Sequence, residues 1–296
     1  MGIIEQASKR LEELRRAGVE LPWSESADAP SSQQPAALAG SLHDLAVAPP
    51  LQPPRGRVDI DLAGLAVAGY LVPGGARTRL LDEMRAVKRP LLANAVGGSG
   101  REPVERGNLI MITSSLPGEG KTFTSVNLAM GMALELNHSV LLVDADPTRM
   151  ALAQRLGLAG KRRGLIDLLL DESLDFADVE LATNVERLSY LPAGTQHHLA
   201  TEIFGSSAMQ TLLGRLAAHP EQRIVVFDSP PLLHSAEARV LAPQMGQVVL
   251  VVQAARTPRG SVQHALHLLE ECPLVMTLLN QSRGAVASSP YGYYAY

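Results

Sequence analysis

The sequence predicts an α/β fold, a mostly parallel twisted sheet flanked by helices. Three observations carry this expectation. Short apolar runs without alternation, Leu109-Ile110-Met111-Ile112, Val140-Leu141-Leu142-Val143 and Ile224-Val225-Val226-Phe227, recur between helical patterns. Strands buried on both faces read in this way, and helices between them imply parallel neighbours. Two of these runs end in a carboxylate, at Asp144 and Asp228, and the other leads through a glycine-bearing turn into a helical pattern at 121–136. Further strands are expected at 187–191, 247–252 and 274–279, and a helix at 78–89 halted by Pro90.

Length and composition set the outer limits. The chain of 296 residues suffices for one large domain with appendages. A net charge of −4 gives no basic field, which argues against a nucleic-acid partner. Cys272 is the only cysteine, which rules out an internal disulfide and a cysteine-based zinc cluster and fits a reducing compartment. His197-His198 stands in a polar stretch and reads as a loop rather than a metal site. No signal-peptide pattern and no apolar run of about 20 residues is present, so a soluble cytoplasmic protein is expected.

Four segments are expected. Residues 1–21 hold a short amphipathic helix, with Ile4, Ala7, Leu11 and Leu14 at helical spacing over 3–17 and Gly18 as a stop. So short a helix is marginal alone and should dock on something. Residues 22–57 form a linker with seven prolines between Pro22 and Pro54. Residues 58–280 form the domain, and 281–296 a flexible tail.

The turn after the first strand reads Ser114-Ser115-Leu116-Pro117-Gly118-Glu119-Gly120-Lys121-Thr122. A strict phosphate-binding loop has glycine six residues before the lysine, where this chain has Ser115. The context of buried strand, glycine turn, Lys-Thr and helix still marks a P-loop NTPase. Ser115, Pro117, Gly118, Glu119, Gly120, Lys121, Thr122 and Phe123 are the expected nucleotide contacts, with backbone N–H groups curled around phosphates at a helix N-terminus. Lys121 would bridge the β- and γ-phosphates of ATP, and the Thr122 hydroxyl would hold Mg²⁺.

Strand ends of an open parallel sheet line the ligand crevice, so Asp144 and Asp228 point towards that loop. Asp228 is the expected Mg²⁺ ligand, directly or through water, and Asp144 the base for a phosphoryl acceptor. Asp146 would assist either, although Asp146-Pro147 also reads as a helix cap followed by proline. Asn280 ends the last expected strand; it is placed against adenine, with an ordinary turn asparagine as the alternative. Four of the six tyrosines, Tyr291, Tyr293, Tyr294 and Tyr296, occupy the last six positions. No alternation or helical stripe there could bury them. A nucleotide site and exposed phenols in one chain suggest a phosphate donor and its acceptor.

On these motifs the chain resembles the bacterial tyrosine kinases of polysaccharide export, P-loop autokinases, and most closely the type found in exosortase-associated loci. The matching segments are Ile3 to Gly18, Arg85 to Leu92, Pro117 to Thr122, Leu141 to Asp146, Val225 to Pro231 and the tyrosine tail. The resemblance implies autophosphorylation of the terminal tyrosines between subunits of a ring. It also implies a membrane chain-length-determinant protein as activator, a tyrosine phosphatase, and a peripheral position at the inner face of the cell membrane. Many members carry an arginine where this chain has Thr148. The family's subunit motif, Glu-x-x-Arg-x-x-Arg, is matched here by Asp82, Arg85 and Lys88. Their spacing suits a subunit contact and a solvated ridge equally, and the resemblance favours the contact.

Two other readings compete. A partition- or septum-type ATPase places a signature lysine where this chain has Leu116, and gives the tyrosines no place. A nucleotide-switched scaffold for a membrane export protein would bind ATP without forming phosphotyrosine.

Overall fold

A computed structural model describes residues 51–97, 102–135, 138–149, 151–158, 160–218 and 223–282. The expected N-terminal helix, most of the linker and the tyrosines of the tail lie outside the described residues.

Eight strands form one sheet. In chain order they are β1 (Gly56–Val58), β2 (Leu109–Ser114), β3 (Val140–Asp144), β4 (Leu181–Thr183), β5 (Leu188–Leu191), β6 (Ile224–Asp228), β7 (Gln247–Gln253) and β8 (Val275–Asn280). Their spatial order is β1-β4-β5-β3-β6-β2-β7-β8. All neighbours run parallel except β4 and β5, which form an antiparallel pair. The five longer expected strands and β5 appear within a residue or two of their predicted limits. The edge strand β1 and its neighbour β4 were not expected; three residues each are too few for a pattern to show.

Three helices matter most for the site: α1 (Leu62–Val67), α2 (Arg79–Val96) and α3 (Lys121–Ala133). Alternation along each buried strand divides its side chains between two cores. Leu109, Met111, Leu141, Val143, Val225 and Phe227 belong to one core. Ile110, Ile112, Val140, Leu142, Ile224 and Val226 belong to the other, packed with α1, α2 and α3. Every residue of α3 from Thr124 to Ala133 is buried. A helix enclosed in this way has little freedom to move, so its N-terminus is a fixed platform.

One expectation is corrected in α2. Pro90 does not end the helix, which continues to Val96 with Gly97 as its cap. Pro90 lies on the exposed side, where water can satisfy the carbonyl it leaves unpaired, while Met84, Lys88 and Leu91 bury the opposite side. Packing of that face outweighs the missing bond. On the same helix the Lys88 ammonium turns inward. Its Nζ donates to the Gly131 carbonyl at 2.7 Å and meets Glu135 at 2.7 Å. A cation on the last carbonyls of α3 suits that helix end. Asp82 and Arg85 are exposed and pair with each other at 3.0 Å.

Candidate active site

The phosphate loop joins the end of β2 to the start of α3. Gly118 and Gly120 have φ of 86° and 100°, a region that side chains disfavour, so the turn requires glycine at both. A Cβ at Gly120 would in addition lie 2.0 Å from Asn280 Nδ2. The loop is therefore tight as well as left-handed. α3 begins at Lys121, presenting its unpaired N–H groups to the loop.

A cavity of about 630 Å³ opens over this turn. Gly118, Gly120, Lys121, Thr122, Phe123, Asp146 and Asn280 line it, as expected. So do Tyr70, Arg149 and Arg155, which the sequence reading did not single out. Tyr70 and Phe123 have ring centroids 4.9 Å apart and form an aromatic wall. Arg149 lies three residues beyond Asp146, but Tyr70 and Arg155 belong to no motif and are brought in by α1 and the segment after β3.

Asp144 and Asp228 sit side by side at the ends of β3 and β6, paired in register. Both are almost fully buried and neither lines the cavity. Ser125 Oγ donates to Asp228 Oδ1 at 3.0 Å, and Thr122 also hydrogen-bonds this carboxylate. Ser125 lies three residues beyond Thr122, one helical turn on, so spacing could have revealed it. Burial pushes the Asp228 carboxyl up to about 6, against the pull of Thr122, Lys121 and Ser125. Asp144 is held well above the usual carboxylate range, by burial first and by Asp228 next. The Asp146 N–H donates to its Oδ1 at 3.1 Å, and the Tyr190 hydroxyl is a further partner. Tyr190 follows from strand alternation: it pairs with Leu142, two residues from Asp144 and on the same face.

Asp146 serves a turn. Its Oδ1 accepts the Thr148 hydroxyl at 2.7 Å, the Thr148 N–H at 3.2 Å and the Arg149 N–H at 3.1 Å. The expected cap on a helix opened by Pro147 is thus corrected to a turn, because the next helix, α4, starts only at Ala151 (Ala151–Arg155). Thr148, where the resemblance expects arginine, completes this turn with its hydroxyl.

Ser115 is buried at the root of the loop, and its Oγ has no hydrogen-bond partner among the described residues. Asn280 Nδ2 donates to the Glu119 carbonyl at 2.9 Å, so this amide rests on the loop itself. The donor set fits a magnesium nucleotide. A hydroxyl at a helix N-terminus, a lysine and buried carboxylates whose mutual repulsion a cation would relieve are the groups such a ligand needs. Among the described residues, no cluster of three His, Cys, Asp or Glu could hold a metal alone.

A profile of the AAA domain matches residues 107–280, more than half of the chain. Tyrosine-protein kinase YwqD of Bacillus subtilis (strain 168) is 32% identical over 187 residues, covering 62% of this chain and 76% of that one. The chain belongs to the bacterial tyrosine-protein kinases. This kinase is also similar to the crystal structure of the VpsO kinase domain, with 29% identity and a TM-score of 0.55, covering 67% of this chain and 95% of that one. A third relative is the succinoglycan biosynthesis transport protein ExoP of Rhizobium meliloti (strain 1021), 33% identical over 162 residues. There the match covers 54% of this kinase and 20% of the longer protein. The phosphate loop lies inside the segment that matches the AAA domain. Among the described residues no helix is long and apolar enough to cross a membrane.

Proposed function

We propose that this kinase uses Mg-ATP to phosphorylate its own C-terminal tyrosines, Tyr291, Tyr293, Tyr294 and Tyr296, between subunits, and thereby regulates exopolysaccharide polymerisation and export. The observation that carries the reading is the cavity itself, with Lys121, Thr122 and Asp146 on its lining, in a chain with four tyrosines among its last six residues. Ser115, Pro117 and the backbone from Gly118 to Phe123 cradle the phosphates, and Lys121 neutralises charge on the transferred group. Thr122 and Asp228, with Asp146 nearby, hold Mg²⁺, which when bound offsets the negative charge on the phosphates. The acceptor hydroxyl gives its proton to the Asp144–Asp146 pair, of which Asp146 faces the cavity. Phosphoryl transfer breaks the bond from the γ-phosphorus to the bridging oxygen and forms one to the tyrosyl oxygen, leaving ADP.

Sixteen residues follow Asn280, with glycine and serine among them. Fully extended they reach about 50 Å, which suffices to enter a neighbour's cavity. Four phosphotyrosines add roughly −6 to −8 charges. Tails gathered in one ring would then repel each other and the aspartates of the site, so phosphorylation favours disassembly. Asp82 and Arg85, both exposed, are the proposed subunit contacts together with Lys88. The membrane chain-length determinant is the proposed activator, holding the kinase at the inner face of the membrane through residues 3–17, and a tyrosine phosphatase resets the cycle. The name of the ExoP relative supports the polysaccharide setting.

Purified protein with Mg-ATP should give a phosphotyrosine signal that maps to the tail by mass spectrometry and disappears on truncation after Ser289. A signal that survives the truncation undiminished places the acceptor elsewhere. Asn280 is proposed to meet the adenine edge as well as the loop. Asn280→Ala should weaken ATP binding several-fold in a fluorescence titration, and unchanged affinity removes it from the site.

A further inference from the structure

Glu119 stands at a position of the phosphate loop where the motif sets no residue type, yet it is only 2% exposed. Both of its carboxyl oxygens are engaged. Oε2 accepts the Leu116 N–H at 2.7 Å, closing the loop on itself. Oε1 accepts the hydroxyl of Thr257, which lies 138 residues away in the segment following β7. The Thr257 oxygen in turn accepts the Gln253 N–H at 3.0 Å. A continuous relay therefore runs from the end of β7 into the loop. The end of β8 reinforces it, through Asn280 on the Glu119 carbonyl and a Gln253–Gln281 hydrogen bond of 2.5 Å.

The backbone of this brace has its own signature. Ala255 and Gln281 both have φ of 57°, in the left-handed region that residues with a side chain disfavour. Surrounding contacts must hold such conformations in place. Here they turn two chain segments back towards the same loop.

We propose that Thr257 is a positioning residue for nucleotide: acting through Glu119, it holds the loop from Leu116 to Gly120 in its phosphate-accepting shape before the ligand arrives. The inference rests on the nucleotide reading of the loop. Without the Thr257 hydroxyl, one buried carboxyl oxygen loses its partner, and the carboxyl is released to swing towards the phosphate position. Loop order then has to be established at the moment of binding, at the expense of affinity.

The test uses the full chain and a fluorescent ADP with Mg²⁺. Thr257→Val, close in shape but without the hydroxyl, should bind roughly tenfold more weakly, the scale of a lost hydrogen bond to a carboxyl group. The KM for ATP should rise in parallel, while kcat for tyrosine phosphorylation changes less than about threefold. Thr257→Ser keeps the hydroxyl and should bind within about twofold of the parent. Glu119→Ala removes the acceptor and should reproduce the tenfold loss, and adding Thr257→Val to it should cost less than about twofold more. Parent affinity in Thr257→Val, a tenfold loss in Thr257→Ser, or full additivity in the double variant each overturns the inference. If Thr257→Val fails to fold, the serine variant and Glu119→Ala still decide it. A parent chain that binds no nucleotide contradicts the reading of the loop itself, whereas a parent that binds beside a silent Thr257→Val contradicts only the role of Thr257.

Discussion

Lys121→Met protein given Mg-ATP should form phosphotyrosine at least about a thousandfold more slowly than the parent, the scale on which one positive group on a transferring phosphoryl counts. The reason is positional. Lys121 opens α3 at the mouth of the cavity, and α3 is fixed by burial of Thr124 through Ala133. Among the described residues no other lysine lines the cavity. Methionine retains most of the stem, and position 121 is only partly buried, so folding should be unaffected. A quantitative phosphotyrosine blot alongside a thermal melt separates the two effects. A loss below about tenfold with an unchanged melt would remove Lys121 from the chemistry.

The second large effect joins function to stability. Asp228→Asn should abolish Mg²⁺-dependent transfer and yet stabilise the metal-free protein at neutral pH. The folded chain holds this carboxyl at about 6, above the ordinary 3.8. Below about pH 4 the group is protonated in both the folded and unfolded chains, and its burial carries no charge penalty. Between about pH 4 and 6 the unfolded chain ionises while the folded one resists, so stability falls as pH rises. Above that window the loss is complete, on the order of 3 kcal/mol. Asparagine removes it. Denaturant melts in EDTA at pH 4 and 7 should show a smaller drop for Asp228→Asn than for the parent. Asp144, raised in the same direction, keeps part of the slope in both proteins. Equal drops in the two proteins would show that the Asp228 carboxyl is not strained by burial. Catalysis therefore claims a site that the empty fold would be more stable without, and Mg-nucleotide should return that stability as it binds.

What the sequence made legible follows from burial. Leu109 to Ile112, Val140 to Val143 and Ile224 to Phe227 are enclosed on both faces, so hydrophobicity alone marks them, and the aspartates follow at their ends. The glycines of the loop were readable because their backbone conformation admits little else. Pro90 misled because its local cost is real, and only the packing of Met84 and Leu91 reveals what overrides it. The inward turn of Lys88 was not legible: its helical spacing with Asp82 and Arg85 is regular, but the Gly131 carbonyl it caps lies 43 residues away. Thr257, Tyr70 and Arg155 left no local trace, since each reaches the cavity or its loop through a long-range contact. Asp146 lines the cavity, but the extent of the turn it closes depended on where α4 begins.

Transfer between subunits is the central claim, and mixing two inactive-alone partners tests it most directly. Lys121→Met protein supplies an intact tail without catalysis, and a catalytically intact chain truncated after Ser289 supplies catalysis without a tail. Together with Mg-ATP they should yield phosphotyrosine on Tyr291, Tyr293, Tyr294 or Tyr296 of the Lys121→Met chain, at a rate that rises with concentration. An unlabelled Lys121→Met tail in that mixture, beside intact protein that labels itself at a concentration-independent rate, would contradict the account and place the transfer within one chain.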